Sequence, residues 1–280
     1  MDEHFYFYNG FLFKKGRPIL SGDHPGQLYG DGVFETMRYF KGAILNLDAH
    51  KKRLSHALHT LGYEPEKNFF PSVLENIKIL LQKNKLTHHA KIRLAVMRAH
   101  NYFIESSGRM DYLIDCVPVS VPEYLTSGLR MAIYHDSKKG TGILSNLKSS
   151  NYLLNIQATK FAHENGFDDA IILNANGRIC ECTVANLFFV EGGKIFTPPL
   201  AEGCVSGVMR KWLLDHLPEE NFSVSESECT LQRLLSADEI FATNAIRWIQ
   251  PISMIDGKKF GSGLTEKLYR FTEKRITAPA

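Results

Sequence analysis

The chain opens with alternating and clustered apolar positions that predict strands. Phe5 to Tyr8 and Phe11 to Phe13 form a hairpin turned at Asn9-Gly10, a pair that accepts the positive φ of a tight two-residue turn. A second hairpin runs from Val33 to Phe40 and from Ala43 to Leu47 through Lys41-Gly42. Asp48 is the expected N-cap of a helix with Ala49, Leu54, Ala57, Leu58 and Leu61 near helical spacing and Gly62 as its stop. Val73, Ile77, Leu80 and Leu81 predict another amphipathic helix. Ala90, Ile92, Leu94 and Val96 alternate as a half-buried strand, and Tyr112 to Val117 is the next.

From Val119 to Gly128 the periodicity lapses into Ser-Val-Pro-Glu-Tyr-Leu-Thr-Ser-Gly, which reads as a linker. The expected division is therefore an N-terminal α/β domain over 1–119, a linker over 120–128 and a larger C-terminal α/β domain over 129–280. Beyond the linker, Leu129 to Tyr134 predicts a strand and Asn151 to Asn165 a helix ended by Gly166. Hairpins follow at Asn176-Gly177 and Gly192-Gly193, then a helix capped by Ser206 and running to His216. Glu239 to Ala242 is a late strand and Leu264 to Lys274 a last helix. The fold class expected is α/β (α+β), with two domains on antiparallel or mixed sheets.

Composition narrows the function. At 280 residues the chain exceeds the usual domain size of ~100–200 residues, in keeping with two domains. The net charge is +3 with scattered basic residues, which argues against a nucleic-acid partner. No apolar run approaches the ~20 residues of a membrane span. The start, Met1-Asp2-Glu3-His4, lacks the basic and apolar regions of a signal peptide. Five widely spread cysteines suit reduced thiols in a cytoplasmic protein better than a disulfide framework. Cys180-x-Cys182, His56-x-x-His59 and His88-His89 lack the partners of a metal site, so no metal is expected.

Two residues stand out chemically. Lys148 lies between a glycine-rich loop and a predicted helix. Glu181 lies inside a hydrophobic strand, where a carboxylate needs a charged or hydrogen-bonding partner. A pyridinium nitrogen is one such partner. The helix start at Ser206-Gly207-Val208-Met209-Arg210 offers backbone N–H groups for a phosphate, and Arg53 could add charge-assisted bonds.

The segments Tyr29-Gly-Asp-Gly-Val-Phe-Glu-Thr-Met-Arg38, His50-Lys-Lys-Arg-Leu54, Lys148, Glu181-x-x-x-x-Asn186, Ser206-Gly-Val-Met-Arg210 and Phe241-Ala-Thr-Asn-Ala245 occur in order across nearly the whole chain. Together they resemble the fold-type IV pyridoxal 5′-phosphate (PLP) enzymes, the class IV aminotransferase family. That family includes branched-chain aminotransferases, D-amino-acid aminotransferases and 4-amino-4-deoxychorismate lyases. The resemblance implies that Lys148 carries PLP as a Schiff base and that Glu181 meets the ring nitrogen. Arg53 and the amides of Val208 and Met209 are implied to hold the phosphate, with the Asn244-Ala245 turn closing the other side. Tyr152 is implied to reach the ring hydroxyl, although the family tyrosine sits one residue further from the lysine. Tyr29, Phe34, Thr36 and Arg38 are implied to line the substrate side. A homodimer acting on a small amino-acid-like substrate is expected on the same ground.

A lysine amine freed by the substrate can act as a base at Cα, and this suits transamination and lyase chemistry equally. Thr243-Asn244-Ala245 resembles the turn of the lyases more than the Gly-Thr or Ser-Thr turn of the aminotransferases. The expected reaction is therefore release of 4-aminobenzoate and pyruvate, with branched-chain or D-amino-acid transamination as the alternative. Arg98-x-His100 matches the carboxylate-binding pair of D-amino-acid aminotransferases only superficially, and the stretch from Ala99 to Glu105 departs from the family pattern. A non-catalytic relative is a third reading, opposed by the presence of both Lys148 and Glu181.

Overall fold

The computed structural model describes residues 3–99 and 108–277; His100 and the stretch up to 107 lie outside them. Two compact units emerge, one comprising 1–121 with 148–151, the other 122–147 with 152–280.

The first unit contains β1 (Phe5–Tyr8), β2 (Phe11–Lys14), the short α1 (Pro25–Leu28), β3 (Gly32–Phe40), β4 (Ala43–Ile44), α2 (Leu47–Thr60), α3 (Phe69–Lys83), β5 (His89–Arg98) and β6 (Met110–Pro118). Its six strands form one antiparallel sheet in the order β2-β1-β6-β5-β3-β4. Both hairpins close as expected, with φ values of 47° and 81° at Asn9-Gly10 and 46° and 99° at Lys41-Gly42. One sheet face, carrying Glu35, Met37, Ile92 and Leu94, packs its apolar residues under α2 and α3. Leu54, Leu58, Val73, Ile77 and Leu80 complete that core from the helix side. The cap of α2 differs from expectation. Asn46, with φ 52°, precedes the first turn, and Asp48 sits inside it, where its charge favours the helix N-terminus.

The second unit contains β7 (Leu129–Lys139), α4 (Ile143–Asn146), α5 (Leu153–Glu164), β8 (Asp169–Asn174), β9 (Ile179–Cys182), β10 (Asn186–Glu191), β11 (Lys194–Thr197), α6 (Val208–His216), β12 (Val224–Glu226), α7 (Leu231–Ser236), β13 (Glu239–Asn244), β14 (Trp248–Ile255), β15 (Lys258–Lys259) and α8 (Gly263–Ile276). The sheet is mixed, in the order β12-β11-β10-β13-β14-β7-β8-β9 with β15 beside β14. β14 pairs antiparallel with β13 and parallel with β7, so it joins the two halves of this sheet. Its sequence hid it: Pro251 lies within the strand and demotes it as a strand candidate. The apolar core on one face gathers Met131, Ile133, Ile171, Leu187, Phe189, Ile240 and Ile252. α5 covers β7 and β8 with Ala158 and Ala162 against Tyr134, Ala170 and Ile172. β7 runs five residues beyond Tyr134, the end expected from its apolar pattern, and this extension places Lys139.

Candidate active site

In the first unit, the backbone around Lys148 is stitched to the edge of β3. Phe34 N–H donates to the Lys148 carbonyl at 2.9 Å, Ser150 N–H donates to the Gly32 carbonyl at 2.8 Å, and Val33 and Ser149 form an isolated antiparallel bridge. Gly32 is required there, since a Cβ would lie 2.9 Å from the Val96 carbonyl and 3.1 Å from Ser150 Oγ. The lysine ammonium lies 4.5 Å from the centre of the buried Phe34 ring, which also carries Arg93 at 4.3 Å on the ring.

Of the proposed substrate-side residues, Phe34, Thr36 and Arg38 alternate on one face of β3. Tyr29 is not on that strand; it follows α1 and is 55% exposed. Arg38 is buried, with Nη2 donating to the Ser120 carbonyl. Arg98 pairs with Asp31 at 2.8 Å, donates to the Leu61 carbonyl and stacks on Tyr63, which makes it a structural residue.

Arg53 is not a solvated side chain. Its Nε donates to Glu35 Oε1 at 2.7 Å and its Nη2 to Oε2, while His50 Nδ1 lies 2.7 Å from Oε2. Burial alone would raise the Glu35 carboxyl, but Arg53 and His50 outweigh it and hold its pKa down to about 2.

In the second unit, Glu181 is 3% exposed on β9 and already has two partners. Lys139 donates to Oε1, and the Val205 N–H donates to Oε2 at 2.8 Å. The charged partner that the sequence demanded for this carboxylate is therefore supplied by the chain itself, and Lys139 is the residue that sequence reasoning missed. Burial would lower the Lys139 pKa, but the Glu181 carboxylate overrides it and raises it. A carboxylate has about four lone-pair sites, so these two donors leave capacity for a third.

The α6 helix starts one residue later than its expected cap: Gly207, with extended backbone, precedes Val208 and Met209. A Cβ at Gly207 would overlap Asn186 Oδ1, so only glycine lets the chain pass that close. Asn186 in turn donates Nδ2 to the Val205 carbonyl at 2.8 Å, fixing the approach to the helix. Asn186 is the cross-strand partner of Thr243, so the two share a face. Thr243 Oγ1 is buried without a hydrogen-bond partner, in the segment leading to Asn244-Ala245. Asn244 Oδ1 accepts from the Ile246 and Arg247 amides at 3.0 and 2.8 Å, which folds this turn tightly. Tyr152, at the start of α5, donates its hydroxyl to the Thr183 carbonyl at 3.1 Å.

The chemistry of these donors suits a phosphate-bearing nitrogen heterocycle. A helix start pared to glycine and an orphaned threonine hydroxyl suit a phosphate, and the buried Glu181, with acceptor capacity left beside Lys139, suits a ring nitrogen that carries a proton. Among the described residues, no group of three or more His, Cys, Asp or Glu could hold a metal ion, and no helix is long and apolar enough to cross a membrane.

Residues 32–255 match the model of the amino-transferase class IV family. A putative branched-chain-amino-acid aminotransferase of Methanocaldococcus jannaschii is 31% identical, over 90% of this chain and 88% of its own. The aminodeoxychorismate lyase of Bacillus subtilis is 29% identical, over 91% and 88%. Among solved structures, a putative 4-amino-4-deoxychorismate lyase of Legionella pneumophila superposes with a TM-score of 0.84 at 26% identity, covering 93% of this chain and 96% of its own. The enzymes of this family depend on PLP. The match over most of the chain, with the fold and the buried donor set behind it, makes this protein a member of the class IV aminotransferase family.

Proposed function

We propose that the chain is a PLP enzyme acting at the α-amino carbon of an amino-acid-like substrate, and that its reaction is the 4-amino-4-deoxychorismate lyase reaction. In this reading Lys148 holds the cofactor covalently, Glu181 meets its ring nitrogen, and Tyr152 reaches its ring hydroxyl. Arg53, the Val208 and Met209 amides and the Asn244-Ala245 turn hold its phosphate. PLP supplies, when bound, a sink for the electrons left when a bond at Cα breaks. The Lys148 amine would serve as the base that takes up the Cα proton. Phe34 gives that amine a ring face to rest on, 4.5 Å from its centre. Lys139 pairs with Glu181 and orients its carboxylate, which in this reading faces the ring nitrogen. Phe34, Thr36 and Arg38 belong to the substrate side, and Tyr29 to its rim.

The Asn244 turn carries the choice of reaction. Its side-chain oxygen accepts from the Ile246 and Arg247 amides, and Ala245 offers the phosphate a backbone amide without a hydroxyl. Transamination of branched-chain or D-amino acids is the second reading, favoured by the 31% identity to a putative branched-chain-amino-acid aminotransferase. A homodimer in the cytoplasm is part of the proposal by family resemblance, and sedimentation of the purified protein tests the dimer. The reaction is tested by incubating the PLP-loaded protein with 4-amino-4-deoxychorismate and no keto acid. Release of 4-aminobenzoate and pyruvate supports the lyase; no release, with exchange of the amino group onto a keto acid, supports the aminotransferase.

A further inference from the structure

We infer that Glu35, backed by His50, is a positioning residue that sets the Arg53 guanidinium for a phosphate. The inference rests on the proposed role of Arg53 and goes beyond it by assigning work to two residues that touch no ligand in that reading.

Glu35 stands on the face of β3 that packs beneath α2 and α3, and it is 2% exposed. Its surroundings there are mostly apolar: Met37, Leu54, Ile77 and Leu94 line the same small cavity, with His50 and Lys51 as its other polar members. A lone carboxylate in such a layer is costly, and an apolar residue of similar size would fill it at no such cost. What the carboxylate does is specific. It grips the Nε–Nη2 edge of Arg53 in a two-bond fork, which fixes both the plane of the guanidinium and the direction of its opposite edge.

His50 lies one helical turn before Arg53 on α2, so both reach the same carboxylate from one helix face. Because Glu35 is ionised and 2.7 Å from His50 Nδ1, that nitrogen carries the proton and donates. His50 Nε2 is buried with no hydrogen-bond partner, so Glu35 is the group that holds the ring in place. Glu35 is held by two donors from one helix and is not free to swing, so the guanidinium it grips is held before any ligand arrives. A phosphate that binds such an arginine has no side chain left to order.

The test compares two probes on the apoprotein, PLP and pyridoxal, which differ by the phosphate alone. Titration followed by absorbance gives both affinities for the wild type, Glu35→Gln, His50→Phe and Arg53→Ala. Arg53→Ala must lose affinity for PLP and keep that for pyridoxal. Glu35→Gln, which keeps the shape and removes the charge, should weaken PLP by roughly 10- to 100-fold and pyridoxal by less than about 3-fold. His50→Phe should shift the same ratio in the same direction by a few-fold, which keeps the test decisive if Glu35→Gln fails to fold. Parallel loss of both probes in Glu35→Gln and His50→Phe, or an unchanged ratio in both, overturns the inference while leaving Arg53 as the phosphate ligand. An unchanged ratio in Arg53→Ala overturns the reading of Arg53 and the inference with it.

Discussion

Lys139 and Glu181 form a buried ion pair in the second unit, with side-chain exposures of 14% and 4%. They stand 42 residues apart in sequence and meet because β8 separates β7 from β9 in the sheet. The pair gives a carboxylate among apolar strands the charged partner that burial demands.

Removing one partner should therefore be worse than removing both. Lys139→Met leaves an uncompensated buried carboxylate and should destabilise by roughly 3–5 kcal/mol. The double variant Lys139→Met, Glu181→Gln should recover more than half of that loss. Urea unfolding of the four proteins in the double-mutant cycle measures both. Equal stabilities of the single and double variants would contradict the pairing.

This pair also marks what the sequence conceals. Glu181 was legible as a residue needing a charged partner, because its neighbours in the strand are apolar. Lys139 was not, since the apolar pattern of β7 fades after Tyr134 and the partner is brought in by sheet order. Tight turns were legible from Asn9-Gly10 and Lys41-Gly42, because positive φ selects few residues. The central strand β14 was not, because Pro251 and Gln250 break the apolar signal while its neighbours supply the burial. Ser206 looked like a helix cap by type, yet the contact with Asn186 makes Gly207 the residue before the helix. The partner of Arg53 was not legible, because Glu35 lies on another element.

The acid limb of the stability profile should carry the signature of Glu35. Its carboxyl is held at about 2 in the folded protein against an ordinary value of 4.5, so the unfolded chain takes up the proton first as pH falls. The resulting stabilisation is present in full above pH about 4.5 and lost between there and about 2. It is on the order of 3 kcal/mol. Glu35→Gln should flatten this part of the profile, and chemical unfolding at successive pH values measures it. An unchanged acid slope would contradict the ionised Glu35 trio.

Gly207→Ala should disturb the start of α6 without backbone strain, since φ there is an ordinary −69°. The new methyl would meet Asn186 Oδ1. PLP affinity should fall by at least tenfold, and Asn186→Ala in the same chain should restore part of it. An affinity unchanged by Gly207→Ala would count against the close passage at this helix start.

All five cysteines are buried and unbridged. Burial pushes the Cys204 and Cys229 thiols up to about 12, and raises Cys116, Cys180 and Cys182 further. A thiol-specific reagent at pH 8 should therefore modify none of them in the folded protein and all five in denaturant. Rapid reaction of the native protein would show that the second unit opens readily, since four of the five lie within it.

The central claim is that Lys148 carries the cofactor, and borohydride reduction of the PLP-loaded protein followed by peptide mass spectrometry tests it most directly. Reduction should leave a single phosphopyridoxyl label on the peptide containing Lys148, absent from Lys148→Ala. A label on Lys139 or another lysine, or no label in a protein that has taken up PLP, would contradict it.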